Sequence, residues 1–174
     1  LESCDVILLS VPDGAIEEVA LRLVTSNVPL LHCAGRMGEG AFGELQSHPH
    51  RPALGALHPL ISFASKKRAP RWQAGYAFAL SGEPRARRAG RRVIRALEGL
   101  ELKDAQSPGY HAAAALVANG AASLALIGVD VLARVAPQLS RHKAAAAMGT
   151  LLRSVADNVE RIGVPDALTG PVRR

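Results

Sequence analysis

The pattern of hydrophobic and polar positions changes character once along the chain, near Pro108. Before that point, short apolar runs alternate with polar or glycine-rich stretches. Val6-Ile7-Leu8-Leu9-Ser10-Val11 is an almost unbroken apolar run, as expected of a parallel strand covered by helices on both faces. Pro12-Asp13-Gly14 breaks it, and residues 15–24 then read as a helix with Ile16, Val19, Ala20 and Leu23 on one side. Further strands are predicted at 30–33, 54–57 and 76–80, with an edge strand at 100–103. A glycine-, proline- and histidine-rich stretch runs from Arg36 to Pro52, and a basic amphipathic helix occupies 83–97. Strands alternating with helices or loops predict an α/β domain with a predominantly parallel sheet.

After Pro108 the period changes. Residues 110–135 read as one long helix that is apolar nearly all round, and Pro137 interrupts it. A second helix over 140–162 carries a stripe of Met148, Leu151, Val155, Val159 and Ile162, with Gly163 and Pro165 as its stop. A domain boundary is therefore expected near 105–108, giving an α/β domain over 1–106 and an all-helical domain over 107–174. An all-round apolar helix must be covered on every side. About 67 residues of helix cannot do that alone, so a second copy of the chain is expected to cover it in a homodimer.

Composition sharpens this picture. Hydrophobic residues make up 48% of 174 residues and aromatics only 3%, so Ala, Leu and Val must fill the core, and disorder is excluded. Two cysteines, Cys4 and Cys33, imply no disulfide framework and fit a reducing, cytoplasmic setting. Residues 1–10 carry two acids and no base, unlike a signal peptide. Residues 112–129 hold no charge and approach membrane-spanning length. Their Ala and Gly content, with Asn119 at the centre and Asp130 at the end, favours a buried helix over a membrane span.

A dinucleotide fold should open with a strand, then G-x-G-x-x-G, then a helix. The one formal match, Gly38-Glu39-Gly40-Ala41-Phe42-Gly43, is read instead as a flexible glycine loop. Pro49 and Pro52 break any helix after it, and no Asp or Glu falls between Glu44 and Glu83 to hold a ribose. Leu1 falls just before a strand that reads as central, and Arg173-Arg174 follows a Thr-Gly-Pro turn. The expectation is a chain cut at both ends that starts after the fingerprint and binds a dinucleotide poorly, if at all, by itself.

Cys4-Asp5-Val6-Ile7-Leu8-Leu9-Ser10-Val11-Pro12-Asp13 resembles the fourth Rossmann strand of pyrroline-5-carboxylate reductases and their relatives. His32-Cys33-Ala34-Gly35, Leu57-His58-Pro59-Leu60 with Ser62-Phe63, Tyr110-His111-Ala112-Ala113-Ala114 with Asn119, and Ala167-Leu168-Thr169-Gly170-Pro171 follow in order. Together they resemble a bacterial family of Rossmann-like oxidoreductases whose C-terminal half is described only as a domain of unknown function (the 2520 type). The resemblance implies a partial Rossmann domain that binds NADP or NAD, with NADP favoured on this ground alone. It also implies a helical dimerisation domain like the C-terminal domains of 6-phosphogluconate dehydrogenase relatives, and an active site between the two domains. The substrate class implied is a small carbonyl or imine.

Ligands in open α/β sheets sit beyond the carboxyl ends of the strands. Val11, Pro12 and Asp13 end the first strand, and in the fold resembled this turn lies along the cofactor; Asp13 can equally cap the next helix. His32 and Gly35 end the second strand, His32 as a structural histidine or a cofactor contact, Gly35 allowing close backbone approach. Cys33 is a weak candidate nucleophile, because hydride transfer needs none. His58 ends the third strand, followed by Ser62 as a substrate contact, and its neutral-range pKa suits proton donation. Tyr110 and His111 open the long helix, and Asn119 shares a face with His111 two turns on. His58 or His111 is the candidate general acid, Tyr110 a substrate contact, and Asn119 either orients substrate or ties helices together. Thr169 either lines the cleft or forms an inter-helix turn.

Three other readings compete. His48, His50, His58 and Cys33 could suggest a metal, but no paired ligand spacing appears, and none is expected. Lys66, Lys67, Arg68 and Arg71, with the arginines at 85, 87, 88, 91, 92 and 95, could follow phosphates. The scarcity of aromatics and the apolar side of that helix favour a solvated face without nucleic acid. A non-catalytic, dimeric metabolite-binding module of Rossmann descent is the alternative to catalysis.

Overall fold

A computed structural model describes residues 4–65, 71–103 and 108–169. The predicted basic cluster Lys66–Arg68, the 105–107 linker and Gly170-Pro171 lie outside the described residues. The chain divides into two compact units, Leu1–Ala114 and Ala115–Arg174, with the division falling inside a long helix.

The first unit is a five-stranded mixed sheet between helical layers, a Rossmann-like α/β arrangement. The strands are β1 (Ile7–Leu9), β2 (Leu30–His32), β3 (Leu54–Pro59), β4 (Ala77–Gly82) and β5 (Leu100–Leu102), in the spatial order of the chain. β1 and β2, β2 and β3, and β4 and β5 pair parallel, whereas β3 and β4 pair antiparallel, with Leu57 opposite Leu80. The sheet is thus predominantly parallel, as the alternation predicts, with one antiparallel pair. Parallel neighbours need a crossover, usually a helix. The described residues between β3 and β4 form none, and the Leu60 amide bonds the Ala77 carbonyl at 2.8 Å as the chain returns alongside. Gly82 sits opposite Gly55 at φ +113, where a side chain on either residue would collide with backbone.

β2 is buried throughout because the pleat sends Leu30 and Leu31 into separate cores. On one face, Leu30 joins Leu9, Ile16, Ala20, Phe42 and Leu45. On the other, Leu31 joins Leu57, Phe78, Leu80, Ala86 and Ile94. α1 (Ile16–Leu21) supplies the first layer and α2 (Pro84–Ala96) the second. α2 buries Ala86, Ala89, Gly90 and Ile94 along one stripe and turns its arginines outward.

β1 is the first strand of the described residues, and Leu8 on it is 43% exposed. Two local expectations need correction. The stretch read as a flexible glycine loop forms 3-10 turns within Gly38–Ser47, broken at Gly43 (φ +49), because Ala41, Phe42 and Leu45 anchor it in the core. Arg51 also bonds the Gln46 carbonyl at 2.7 Å and pairs with Glu83, fastening this segment to the start of α2. Asp13 caps no helix: the 3-10 turn Asp13–Ala15 is preceded by Pro12, and neither it nor α1 has a side-chain cap.

α3 (Pro108–Val135) leads into the second unit, whose other helix is α4 (Arg141–Ile162). Ser140 caps α4 by accepting from the Lys143 amide at 3.3 Å, and Gly163 ends it at φ +73. Gly128 lets α3 approach Met148 of α4, and Asp130 pairs with Arg141 at 2.8 Å. The burial expected of the long helix calls for a second copy of the chain, and a single chain leaves most of it open. Gly109–Val135 has the length and apolarity to cross a membrane, with a mean hydropathy of 1.9, and almost none of it is buried. Asn119 is exposed in the single chain. The physical reason is that α4 covers only one side of α3, leaving Leu116, Leu124 and Ile127 at 75%, 68% and 59% exposure. The stripe on α4 is also open at Leu151, Val155, Val159 and Ile162.

Candidate functional site

The carboxyl end of β3 meets the first turn of α3 in the first unit. β3 runs two residues past the predicted Leu57, carrying His58 at its end. From there the His58 Nδ1 lies 2.9 Å from the Tyr110 hydroxyl, and the two rings meet edge to face. His111, next along α3, brings its ring centroid to 6.2 Å from that of His58. The His111 Nδ1 is buried with no hydrogen-bond partner. A buried ring nitrogen of this kind is able to hydrogen-bond a small polar molecule.

Gly35 forms the floor under His58. A Cβ at residue 35 would lie 2.5–2.8 Å from three atoms of the His58 ring. Close approach at this glycine is thus made by the imidazole itself, a use that local sequence does not reveal.

His32 is fully buried and satisfied on both ring nitrogens. Nε2 lies 2.6 Å from the Gly38 carbonyl, and Nδ1 accepts from the Ala34 amide at 3.1 Å. These partners assign the neutral tautomer with the proton on Nε2, and the Phe42 ring packs against it edge to face. Protonation would turn Nδ1 into a donor facing another donor. Burial accordingly holds the His32 pKa below its ordinary value, against a raising contribution from the Gly38 carbonyl and a smaller one from Asp13.

The same logic acts on His58. Burial lowers its pKa, the charges of His111 and His32 lower it further, and Asp13 opposes them. Burial raises the Tyr110 pKa. The cluster therefore holds a neutral imidazole against a protonated phenol at neutral pH, with one carboxylate nearby. Burial also raises the Cys33 pKa, which keeps the thiol protonated and a poor nucleophile.

Asp13, His32, Gly35, His58, Tyr110 and His111 are thus brought together. Val11 and Pro12 lie in the same strand-end turn as Asp13, Val11 half-buried and Pro12 exposed. Ser62 is exposed beyond β3, and Asn119 and Thr169 are exposed in the second unit. His48 and His50 pack against each other on the surface. Among the described residues, no three His, Cys, Asp or Glu side chains converge as metal ligands.

His32 predicts a pH effect on folding. Its folded pKa lies below the value near 6.5 of an unfolded histidine. Between those two values the unfolded chain binds the extra proton, so stability is lost as pH falls below about 6.5. In His32→Phe this part of the acid-side loss should vanish, while stability at pH 8 drops by about 1–3 kcal/mol because the Ala34 amide loses its acceptor. Urea unfolding of both proteins between pH 5 and 8 measures this. Parallel stability profiles would count against it.

A mixed sheet carrying polar strand ends, followed by a helical part, defines a Rossmann-like, oxidoreductase-type fold. The chain belongs to the family described as a domain of unknown function, DUF2520, which matches residues 76–174. None of the curated proteins compared with the sequence matches it. Among solved structures it is similar to protein TM1727 from Thermotoga maritima, with a TM-score of 0.70, 26% identity, and coverage of 98% of this chain and 65% of that one. It is similar in fold to a Bacteroides fragilis protein assigned as an NADP oxidoreductase (TM-score 0.66, 19% identity, 97% and 62% covered). The Plasmodium falciparum pyrroline carboxylate reductase, solved with NADP bound, shares the fold at a TM-score of 0.64 and 13% identity, with 97% and 64% covered. The chain thus spans less than two thirds of the length of each of these three structures.

Proposed function

We propose that this chain carries the proton-transfer half of a nicotinamide-dependent oxidoreductase acting on a small carbonyl or imine. The observation that carries the reading is the His58–Tyr110 pair beside the unpartnered, buried His111 Nδ1, at the carboxyl ends of parallel strands. This is where α/β sheets place ligands. The fold shared with an NADP-bound reductase supports a nicotinamide cofactor for this chain.

Residues 11–13 and Gly35 fit the reactive end of such a cofactor, offering a strand-end turn and a glycine beside the histidines. The Gly38–Gly43 segment does not fit its pyrophosphate, since Phe42 is buried and the segment is 3-10 rather than a strand–loop–helix turn. The cofactor would supply hydride when bound. This chain's residues would move the proton: imidazolium His58 gives it to the carbonyl oxygen or imine nitrogen during reduction, and neutral His58 takes it back in oxidation. Tyr110 holds the imidazole in place through Nδ1, and the His111 Nδ1 hydrogen-bonds the substrate. Asn119 and Thr169 are proposed as substrate contacts completed in a homodimer, and Ser62 as a further one. A cytoplasmic setting and the absence of nucleic acid from its partners belong to the same proposal.

Calorimetric titration of NADPH and NADH into residues 1–174 and into the full-length product of the encoding gene tests the reading. Weak or no binding by residues 1–174 and micromolar binding by the gene product are expected. No binding by either would overturn the catalytic reading in favour of a dimeric metabolite-binding module.

A further inference from the structure

A depression of about 740 Å³ in the first unit lies at the opposite ends of β1 and β2 from the histidine cluster. Asp5 precedes β1 and the polar turn 25–27 precedes β2, so both belong to the amino ends of the strands. Arg85, Arg88 and Arg92 face this depression from α2, and Arg22 joins them from the turn after α1. Positions 85, 88 and 92 share one helix face, being three and four residues apart.

The other arginine stripe of α2 has a different fate. Arg91 clamps Glu101 of β5 through two nitrogens at 2.9–3.0 Å, and Arg87 acts electrostatically on the same carboxylate. The 85/88/92 stripe meets one carboxylate among the described residues, Asp5, at 3.8 Å from Arg92. Arg22 pairs with Glu18 at 2.6 Å. Four guanidinium groups around one concavity repel one another, and that repulsion is relieved when an anion enters. Guanidinium forks match phosphate oxygens bidentately, and the hydroxyls and amide of the 25–27 turn add neutral hydrogen-bonding groups. The volume suits a nucleotide-sized ligand.

We propose that this depression is a binding site for a small molecule bearing two or more phosphate groups, separate from the site proposed for hydride transfer. A concave, arginine-lined outline without aromatic residues favours a compact polyanion over a nucleic-acid strand, which needs stacking platforms or a long phosphate track.

The test titrates inorganic tripolyphosphate into the protein at about 50 and 200 mM NaCl, a range over which phosphate contacts weaken visibly. Arg85→Gln/Arg88→Gln should weaken binding about tenfold or more, the loss expected from charged hydrogen bonds. Arg87→Gln/Arg95→Gln, on the same helix but outside the depression, should leave it within about twofold on the same scale. Both variants change exposed side chains, and circular dichroism confirms that they fold. The proposal is overturned by no binding at low salt, by equal loss in both variants, or by tighter binding of random duplex DNA. None of these readouts depends on hydride transfer, so failure here leaves the oxidoreductase reading to its own test.

Discussion

His58→Gln is expected to lower hydride transfer by about a hundredfold or more in the full-length gene product, the range for losing a general acid–base group. The assay follows NADPH oxidation with whichever carbonyl or imine substrate a panel screen identifies. Cofactor affinity should be unchanged, because His58 acts on the substrate's proton. Tyr110→Phe removes the 2.9 Å bond to Nδ1 and should cost about tenfold through loss of ring orientation. Gly35→Ala should behave like a partial His58 loss, since the added methyl would occupy the space of the imidazole.

The pH dependence carries the sign of the His58 shift. Burial and the neighbouring histidines hold its pKa below the ordinary value, so the imidazole is mainly neutral at pH 7. Reduction consumes the protonated form, so its rate should rise as pH falls below neutrality and level off below the lowered pKa. Oxidation uses the neutral form and should show the opposite limb. Asp13 favours the charged imidazole, so Asp13→Asn should move both limbs to lower pH. A His58→Gln enzyme within about threefold of the parent rate, with the pH limb intact, would remove His58 from the chemistry.

Dimerisation through α3 is the second large effect expected. Leu116, Val117, Leu124, Leu126, Ile127 and Val131 are all more than half exposed in the single chain. Burying a leucine or isoleucine fully stabilises by about 1.5–3 kcal/mol, so covering this face changes the stability of the second unit more than any single contact within it. Sedimentation should give a species of twice 18.3 kDa without detergent. Leu124→Glu/Ile127→Glu should yield a monomer or aggregate whose α/β unit keeps its far-ultraviolet signature. The same helix passes the length and hydropathy test for a membrane span. Recovery of the protein in the membrane fraction would therefore overturn the dimer, as would a stable monomer of the unmodified chain. A partner helix would also give Asn119, exposed in one chain, a place to hydrogen-bond.

The elements of the fold were legible in the sequence where the hydrophobic period is local. The runs at Leu30–Cys33 and Leu54–Leu57 became strands, and the stripes on α2 and α4 became helices with ends near those predicted. The second unit is helical because nothing after Pro108 alternates with period two. The stretch from Arg36 to Pro52 was harder to read. Its glycines suggest a loop, and only the burial of Phe42 and Leu45 converts it into ordered 3-10 turns. Asp13 has the residue type of a helix cap, but the Pro12 turn places its carboxylate where it acts on the histidines instead.

By itself, the sequence determined which segments are strands and helices, where the period changes, and which strand ends carry histidines. These follow from side-chain spacing over a few residues. Tertiary structure decided that β3 and β4 run antiparallel and that His58 meets Tyr110 across 52 positions of chain. It also decided that Gly35 holds the ring rather than an open space, and that one stripe of arginines finds Glu101 while the other surrounds a depression. No local period records such pairings. They arise when distant segments share one core, and packing, not spacing, selects which polar groups then face each other.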